Sequence, residues 1–467
     1  MTTGSDGPVL RRWTPTAPLV FLVVAGPLGL ALLFTSPPFR WGDENTHFRQ
    51  AYRLSEGDLH PACGFPGEEE TTPLGIIRLI YFTSVMHRKH PRLAWIDILR
   101  MRTIEARRDE RVPAPVERAP YPPLPYVAQA MAIAVAELGT HSALALHYAA
   151  RLGNFVAWLG LTWLALRVAP GLRWSLAVVA LAPMTMFLAT TCTVDAMANA
   201  IAFLWTATVL RVAAGAEENV RTSEVLALGV LAVALTLAKF VYAVLVPLVL
   251  LIPARRAGGR SRLLGLVGLV FAFSGAALVG WIAYSGRECF GATGITSPES
   301  VAQQWRSLTE DPSYFLRMLG QAARAVRQTL MQGLVDTKWA VHVPRIDSRL
   351  FFGALVVALV CDERSAGSRS LARRAVALGA AAAGFVAIVL VAFVYWTKAG
   401  TSHVPGLQMR YMIPLLPPLL VALEPSRLTI PGWARWLGRG TAVVIATALL
   451  VRTIQRALTI FVPPSLS

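Results

Sequence analysis

Charged side chains are scarce in this chain and make up only 15% of its 467 residues. Hydrophobic residues make up 55%, and the mean hydropathy is +0.51. A soluble protein of this length carries more charge, because its surface must be covered with polar groups. The composition therefore excludes a soluble globular protein and predicts a polytopic membrane protein.

Several catalytic signatures are also absent from the sequence. It contains no Walker A loop, no G-x-G-x-x-G after a predicted strand, no H-E-x-x-H and no G-x-S-x-G. Nucleotide binding, zinc proteolysis and serine hydrolysis therefore have no local support, and we expect no nucleotide cofactor. The four cysteines lack metal-site spacing. Cys63 and Cys289 fall in predicted external loops, where they either pair or remain free thiols.

The net charge of +17 does not indicate a nucleic-acid partner, because the basic residues form no single patch. Most of them lie in short loops between apolar segments, as membrane orientation requires. Arg11 and Arg12 precede the apolar run 18–35, and no small-residue cleavage site follows that run. We therefore predict a cytoplasmic tail over 1–17, followed by one transmembrane domain over 18–467 that begins with an uncleaved first span.

Eleven apolar segments mark the predicted membrane domain, at 18–35, 122–138, 144–166, 174–192, 195–213, 225–253, 263–284, 350–361, 374–396, 409–424 and 438–460. Arginine clusters within 255–262, 364–374 and 427–439 predict cytoplasmic loops. The long polar stretches 37–121 and 286–348 then lie outside, and the eight histidines fall on or near the outer face.

Two topologies are compatible with these end points. In the first, 122–138 spans the membrane and 225–253 is one long helix, which puts Lys239 near the midplane at roughly 2.5–3.5 kcal/mol. In the second, 122–138 lies along the outer surface and 225–253 is two short helices that turn near Lys239 at the outer boundary. We favour the second, because the polar Gln129 and Glu137 suit a surface helix. It makes 37–143 and 286–348 the external loops and moves Asp195 to the outer side.

The sequence thus predicts an all-α polytopic membrane protein with a bundle of about 11 transmembrane helices. Two external stretches, 314–332 and 92–108, show apolar residues at helical spacing among arginines. We expect them to be juxtamembrane helices that lie flat against anionic headgroups, which makes membrane lipids a predicted partner.

The acids of the first external loop are the leading site candidates. Asp43, Glu44 and His47 directly follow the first span, at the membrane–water boundary, where ionisable side chains avoid burial in hydrocarbon. A helix that starts near residue 45 would put Glu44, His47 and Ala51 on one face. Asp43 either caps that helix by accepting a backbone N–H or deprotonates an acceptor hydroxyl.

The other candidates come from later segments. Asp195 is either a helix N-cap or a metal ligand or second acid–base group that faces Asp43. Arg410 offers a fork that holds a phosphate by two hydrogen bonds, and Tyr411 adds a hydroxyl. Lys239 offers a second cation, although both cations also suit snorkelling at the interface. Weaker candidates are Lys398, His403 and Arg151.

Several motifs, in this order and spacing, resemble a family of bacterial predicted membrane proteins of unknown function. They are Asp43-Glu44 with His47, Tyr121-Pro-Pro-Leu-Pro-Tyr126, Asp195 with Asn199, Lys239 to Tyr242, and Gln408-Met-Arg-Tyr411. The resemblance covers about 18–460, and the family in turn looks like the GT-C superfamily of membrane glycosyltransferases.

That resemblance implies transfer of a sugar from a polyprenyl-phosphate carrier on the outer face of the cytoplasmic membrane. It assigns the catalytic base to Asp43, with Glu44 as the competing choice. It assigns to Asp195 the binding of a divalent cation (Mg²⁺ or Mn²⁺) or of the acceptor. We group His47 with Asp195 in this role. It assigns the binding of the donor phosphate to Arg410 and Lys239, and we place Tyr411 with them in this role.

The acceptor implied is a cell-envelope glycan or lipid, which we expect the external loops to recognise. The sequence shows no large C-terminal soluble domain of the kind found in some GT-C relatives. A carrier or flippase for lipid-linked sugars is the alternative, although the candidate residues lie on one side and no inverted repeat is found. An inactive scaffold for cell-wall assembly is a third interpretation.

Overall fold

The computed structural model describes residues 16–40, 43–61, 71–89, 93–113, 121–217, 219–286, 298–337, 344–363, 370–397, 404, 407–425, 428–459 and 461–462. Over these residues the protein is almost wholly helical, which confirms the predicted all-α class. Cys63, Cys289, Lys398 and His403 lie outside the described residues, as does most of the predicted cytoplasmic tail. Cys192 and Cys361 are buried free thiols.

The α-helices of the described residues are α1 (Ala17–Thr35), α2 (Glu44–Ser55), α3 (Leu74–Lys89), α4 (Trp95–Arg102), α5 (Val127–Ala136), α6 (Ala143–Val168), α7 (Arg173–Ala180), α8 (Pro183–Ala189), α9 (Asp195–Ala214), α10 (Thr222–Ala238), α11 (Arg260–Ser285), α12 (Pro298–Glu310), α13 (Pro312–Gly333), α14 (Arg345–Cys361), α15 (Leu371–Trp396), α16 (Leu416–Leu423) and α17 (Gly432–Leu458). Within the described ranges, three 3-10 helices cover Leu124–Tyr126, Phe240–Leu251 and Met409–Leu415.

Short strands join parts of the chain that are distant in sequence. They are β1 (Thr71–Pro73), β2 (Leu93–Ala94), β3 (Arg111–Pro113) and β4 (Phe461–Val462). Strand β1 pairs antiparallel with β3, and Thr72 lies opposite Val112. Strand β2 pairs in parallel with β4, which ties the segment between α3 and α4 to the chain segment after α17.

Six helices of the described residues are long and apolar enough to cross a bilayer, namely α1, α6, α9, α11, α15 and α17. The shortest of them, α1, has 19 residues and reaches about 29 Å at 1.5 Å per residue, close to the hydrocarbon thickness of about 30 Å. Helix α1 ends at Thr35, and Pro37 and Pro38 follow, which cannot continue it. The chain is therefore a membrane protein with several apolar helices.

The apolar stretch 225–253 is interrupted at Lys239, as the second topology predicts. Helix α10 ends at Ala238, Lys239 is extended (φ −163°, ψ 107°), and the 3-10 helix Phe240–Leu251 begins at once. That 3-10 helix leads back to the end where α10 starts, because Arg256 donates to Glu224 at 2.7 Å and to the Val212 carbonyl at 3.1 Å. The two segments therefore form a hairpin whose turn is at Lys239.

Helix α9 lies at the centre of the bundle. In an apolar 18-residue stretch of α9, 89% of the residues are buried inside the protein, whereas the corresponding share for α11 is 17%. Alanines at every second position from Ala196 to Ala202 allow neighbouring helices to approach closely. The predicted segment 174–192 is divided into α7 and α8, because Pro183 starts a new helix. All residues of α8 are buried, so this segment faces protein rather than lipid.

A second layer of helices covers one end of the bundle. Its core joins α2, α3, α4, α5 and the first turns of α6 through residues such as Phe48, Ile76 and Ile133. Helix α5 has 10 residues, about 15 Å, and is too short to cross a bilayer. It packs along α6, and Met131 and Val135 are left exposed on its other side. This agrees with the prediction that 122–138 lies along the surface and does not cross the membrane.

The predicted juxtamembrane helices are formed to different extents. Helix α13 covers all of 314–332 and packs on α14, α15 and the 3-10 helix Met409–Leu415. In the described part of the stretch 92–108, residues 93–108, the only helix is the eight-residue α4, which follows the two-residue strand β2. The weakest predicted span, 350–361, is part of the longer α14.

Candidate functional site

Four ionisable residues from distant parts of the chain meet at the covered end of the bundle. Arg410 Nη2 lies 2.6 Å from Asp43 Oδ2, and Arg410 Nε lies 3.3 Å from Asp195 Oδ2. Lys239 Nζ lies 2.7 Å from the other oxygen of Asp195. Asp43 and Asp195 therefore lie on the same side, as the second topology requires, and Arg410 connects them.

The two aspartates begin helices without capping them. Asp43 occupies the N-cap position of α2, but its side chain makes no capping hydrogen bond. Asp195 is the first residue of α9, and its own N–H donates to Thr193 Oγ1 at 3.2 Å. The interpretation of either residue as a simple N-cap is therefore wrong, because both carboxylates point to cations instead.

Two 3-10 helices position the cations. Lys239 precedes the first, Phe240–Leu251, and Arg410 is the second residue of the other, Met409–Leu415. The Tyr242 hydroxyl donates to the Tyr411 carbonyl at 3.0 Å and joins the two segments. Lys239 Nζ also lies 4.2 Å from the centre of the Tyr411 ring, which adds a cation–π contact. Tyr411 thus supports Lys239 as well as standing beside Arg410.

Exposure separates Asp43 from the rest of the cluster. Its side chain is 51% exposed, whereas those of Asp195 and Arg410 are 5% and 4% exposed. Burial opposes ionisation of Asp43, but the neighbouring Arg410 guanidinium outweighs it and holds the pKa of Asp43 below its usual value. Asp43 is therefore an ionised carboxylate at neutral pH that solvent and a substrate can reach.

His47 forms a neutral wall beside this carboxylate. It is buried, and its Nδ1 lies 2.8 Å from the Tyr126 hydroxyl. Burial lowers the pKa of His47 to about 4, despite the opposing charges of Asp43 and Asp195. At neutral pH the imidazole is therefore uncharged. Glu44, His47 and Ala51 are all buried on one face of α2, as their helical spacing predicts.

Glu44 is placed where it cannot act as the competing catalytic base. The side chain is fully buried, and its two oxygens lie 2.7 Å from Arg151 Nε and Nη2. They also accept the backbone N–H groups of Phe39 (3.0 Å) and Cys192 (3.1 Å). Burial opposes its ionisation, but Arg151 keeps the pKa of Glu44 below its usual value. A carboxylate with four donors and no solvent contact has no route to a substrate proton.

Arg151 is only a weaker candidate in the sequence analysis, but it makes more contacts near the site than that ranking suggests. Besides its two bonds to Glu44, it donates to the carbonyl oxygens of Leu33, Ser36 and Pro37 at 3.2, 2.7 and 3.1 Å. All five of its N–H groups are thus used, in a fully buried position. Arg151 fixes the end of α1 and the start of α2, and so holds the turn that presents Asp43. An arginine inside an apolar helix was the available signal.

A second buried network holds the segment before Asp195. Asn154 Nδ2 donates to the Thr191 carbonyl at 2.7 Å, and Gln129 Nε2 donates to the Thr193 carbonyl at 3.3 Å. Gln129 also donates to Asn154 Oδ1 at 3.2 Å. These amides satisfy the backbone where α8 ends and α9 begins, so α5 and α6 determine where Asp195 points.

The residues around Asp195 do not fit a resident divalent cation. Both oxygens of Asp195 already face protein cations, and His47 Nδ1 faces Tyr126. Among the described residues, three ligand atoms within 4.8 Å of one another belong to Glu44, His147 and Cys192. Arg151 already occupies both oxygens of Glu44, which closes that cluster. Protein cations therefore already face the oxygens of Asp195 and Glu44 that Mg²⁺ or Mn²⁺ would need.

Comparison with known proteins supports the membrane assignment. Residues 27–420 match the family described as "Predicted membrane protein (DUF2142)", and this range contains Asp43, Asp195, Lys239 and Arg410. No curated protein matches the chain, and no solved structure matches it. The chain therefore belongs to the DUF2142 family of predicted membrane proteins.

Proposed function

We propose that this protein is a glycosyltransferase of the cytoplasmic membrane. It moves a sugar from a polyprenyl-phosphate donor to a hydroxyl of a cell-envelope glycan or lipid on the outer face. The proposal includes a GT-C-like bundle of about 11 membrane-spanning segments. The observation that carries it is an exposed carboxylate, Asp43, held 2.6 Å from a buried guanidinium, Arg410, at the covered end of a membrane bundle.

In the proposed reaction Asp43 is the general base. The acceptor O–H gives its proton to the Asp43 carboxylate, and the oxygen attacks the anomeric carbon of the donor sugar. The bond between that carbon and the phosphate oxygen breaks, and polyprenyl phosphate leaves with the electron pair. A single displacement of this kind inverts the anomeric configuration.

The cations stabilise the charge that moves during this step. As Asp43 takes up a proton it loses its negative charge, while the departing phosphate gains one. Arg410 contacts Asp43 directly, so it can favour the phosphate as the charge moves. Lys239 supplies the second cation, and Asp195 holds both cations in place at 2.7 and 3.3 Å. Because these groups are preorganised in a largely buried site, their stabilisation of the leaving group is strong.

The position of the site suits a lipid-linked donor. The cluster lies where the membrane bundle meets the outer helical layer, at the ends of α9 and α10. A polyprenyl chain can therefore stay in the bilayer while its phosphate reaches Arg410. Such a donor carries its own activated phosphate ester and needs no nucleotide site, in keeping with the absence of nucleotide motifs.

The test is sugar transfer by the purified protein in lipid nanodiscs. Labelled polyprenyl-phosphate sugars and a crude cell-envelope acceptor fraction would be supplied to the wild type and to Asp43→Asn. We expect the substitution to lower transfer by about 10²- to 10⁴-fold, the usual contribution of a general base.

Asp58→Asn is the matched control for Asp43→Asn. Asp58 is also an aspartate paired with an arginine, at 2.5 Å from Arg53, but it lies outside the cluster. We expect this variant to transfer at the wild-type rate. Undiminished transfer by Asp43→Asn would remove the proposed mechanism. Movement of the lipid-linked sugar across liposomes without product would instead favour the carrier function.

A further inference from the structure

A cavity of about 480 Å³ lies at the end of the bundle opposite to the Asp43 cluster. It is formed where α6 leads into α7, where α9 ends, where α10 begins and beside Arg256. Helix α9 connects the two ends, since Asp195 is its first residue and Ala214 its last. Its 20 residues correspond to about 30 Å, so this cavity is a separate site in the opposite leaflet.

Four arginines from different elements line this cavity: Arg173, Arg211, Arg221 and Arg256. Arg256 is 3% exposed and is held by the Val212 carbonyl at 3.1 Å and by Glu224 at 2.7 Å. It also lies directly against Gly215, where an added Cβ would come within 2.4 Å of its Nε. The glycine therefore makes room for a fixed guanidinium in the wall.

The charges of the lining do not cancel. Arg221 pairs with Glu217, and Arg256 pairs with Glu224. Within the described part of the chain, Arg173 and Arg211 lining the same cavity have no carboxylate partner. Arg173 Nε donates to a backbone carbonyl, that of Ala169, at 2.6 Å. Glu218, next to Glu217 in the sequence, is outside the described residues, and even its full negative charge would leave the sum of these charges positive.

The remaining wall of the cavity is apolar. Val168, Pro170 and Ala214 line it beside the arginines, at or just after the ends of α6 and α9. A membrane protein needs basic loops for its orientation, but orientation requires only an excess of Lys and Arg in those loops and not the convergence of four arginines on one concavity. Cationic pockets between transmembrane helices with an apolar side suit phosphorylated lipid headgroups.

We propose that this cavity binds a phosphate-bearing anion, the headgroup of an anionic phospholipid in the leaflet opposite to the Asp43 cluster. Arg173 and Arg211 bind the phosphate oxygens, and the apolar wall contacts the glycerol and the start of the acyl chains. This site is independent of the proposed sugar transfer, because it shares no residue with the Asp43 cluster.

The experiment compares lipid binding by the delipidated, full-length protein and two double variants. Arg173→Gln with Arg211→Gln removes the two arginines that have no carboxylate partner in the cavity. The control, Arg255→Gln with Arg260→Gln, removes the same charge from exposed residues nearby that do not line the cavity. Binding of phosphatidylglycerol and of phosphatidylcholine is measured by native mass spectrometry, and melting without lipid confirms that each variant is folded.

We expect phosphatidylglycerol to bind the wild type and the control alike, and to bind the cavity variant about tenfold more weakly. Inorganic phosphate and glycerol phosphate, tested by thermal shift, distinguish the source of the phosphate. Protection by these soluble ions that the cavity variant loses would support the phosphate site and assign it to a soluble ligand. Equal binding of phosphatidylglycerol by the cavity variant and the control, or no preference of the wild type over phosphatidylcholine, would overturn the proposal.

Discussion

Replacing each of two adjacent carboxylates should affect different properties of this protein. We expect Glu44→Gln to destabilise the fold, and Asp43→Asn to lower transfer by about 10²- to 10⁴-fold while leaving the fold intact. The two residues are neighbours in sequence, but Glu44 is fully buried against Arg151 and Asp43 is half-exposed beside Arg410. The comparison therefore tests the structural assignment of both residues at once.

The expected magnitudes follow from burial. Glu44→Gln leaves the Arg151 guanidinium buried without a counter-charge, and breaking a buried pair of this kind costs about 3–5 kcal/mol of unfolding free energy. Asp43→Asn removes a half-exposed partner, and Arg410 keeps Asp195 at 3.3 Å. The stability loss for Asp43→Asn should therefore stay below about 1 kcal/mol.

The assay is thermal unfolding of the purified variants in detergent, followed by sugar transfer at a temperature where all are folded. A double variant, Glu44→Gln with Arg151→Met, removes the buried charge from both partners. We expect it to be less destabilised than the sum of the two single substitutions, by about 1–3 kcal/mol. That coupling distinguishes loss of the ion pair from a general loss of packing.

Two results would each refute this reasoning. If Glu44→Gln melts like the wild type but has lost transfer, Glu44 is the chemical group and its contacts to Arg151 are not structural. If Asp43→Asn melts several degrees lower, its loss of transfer would say nothing about catalysis. After either outcome, the choice between Asp43 and Glu44 as the general base would be as open as it is from the sequence alone.

Three further predictions concern the surroundings of the cluster. An added Cβ at Gly333 would lie 2.1 Å from that of Met409, next to Arg410, so Gly333→Ala should lower transfer about tenfold or more, whereas Gly320→Ala, with open space on the same helix, should not. Arg410→Lys replaces a fork that contacts two carboxylates with a point charge, and kcat/KM for the donor should fall at least about tenfold, which steady-state kinetics would measure. The pKa of His47 is lowered from 6.5 to about 4, so as pH falls through this window the unfolded chain binds a proton that the folded chain does not, and up to about 3 kcal/mol of stability is lost. The difference in melting temperature between pH 7 and pH 4.5 should therefore be smaller for His47→Gln than for the wild type. An equal difference would contradict the assignment of His47 as a buried, neutral imidazole.

Much of the architecture could be predicted from local patterns. Long apolar runs identified α1, α6 and α9, and the cost of a buried lysine indicated the interruption at Lys239. These features depend only on the local sequence and on the known thickness and apolarity of a bilayer, so they can be predicted without the tertiary structure. The division of 174–192 into α7 and α8 was missed, because a uniformly apolar run does not distinguish contact with protein from contact with lipid.

The sequence by itself determined that this is a helical membrane protein and that acids and cations lie near helix ends. It could not determine which of two adjacent acids is exposed, because that depends on Arg151, 107 residues after Glu44 along the chain. Nor could it show that Asp43 and Arg410 are paired, since a contact across 367 residues is created only when the helices assemble. Tertiary packing decides these points, because desolvation and charge pairing are properties of the assembled surroundings and not of the local sequence.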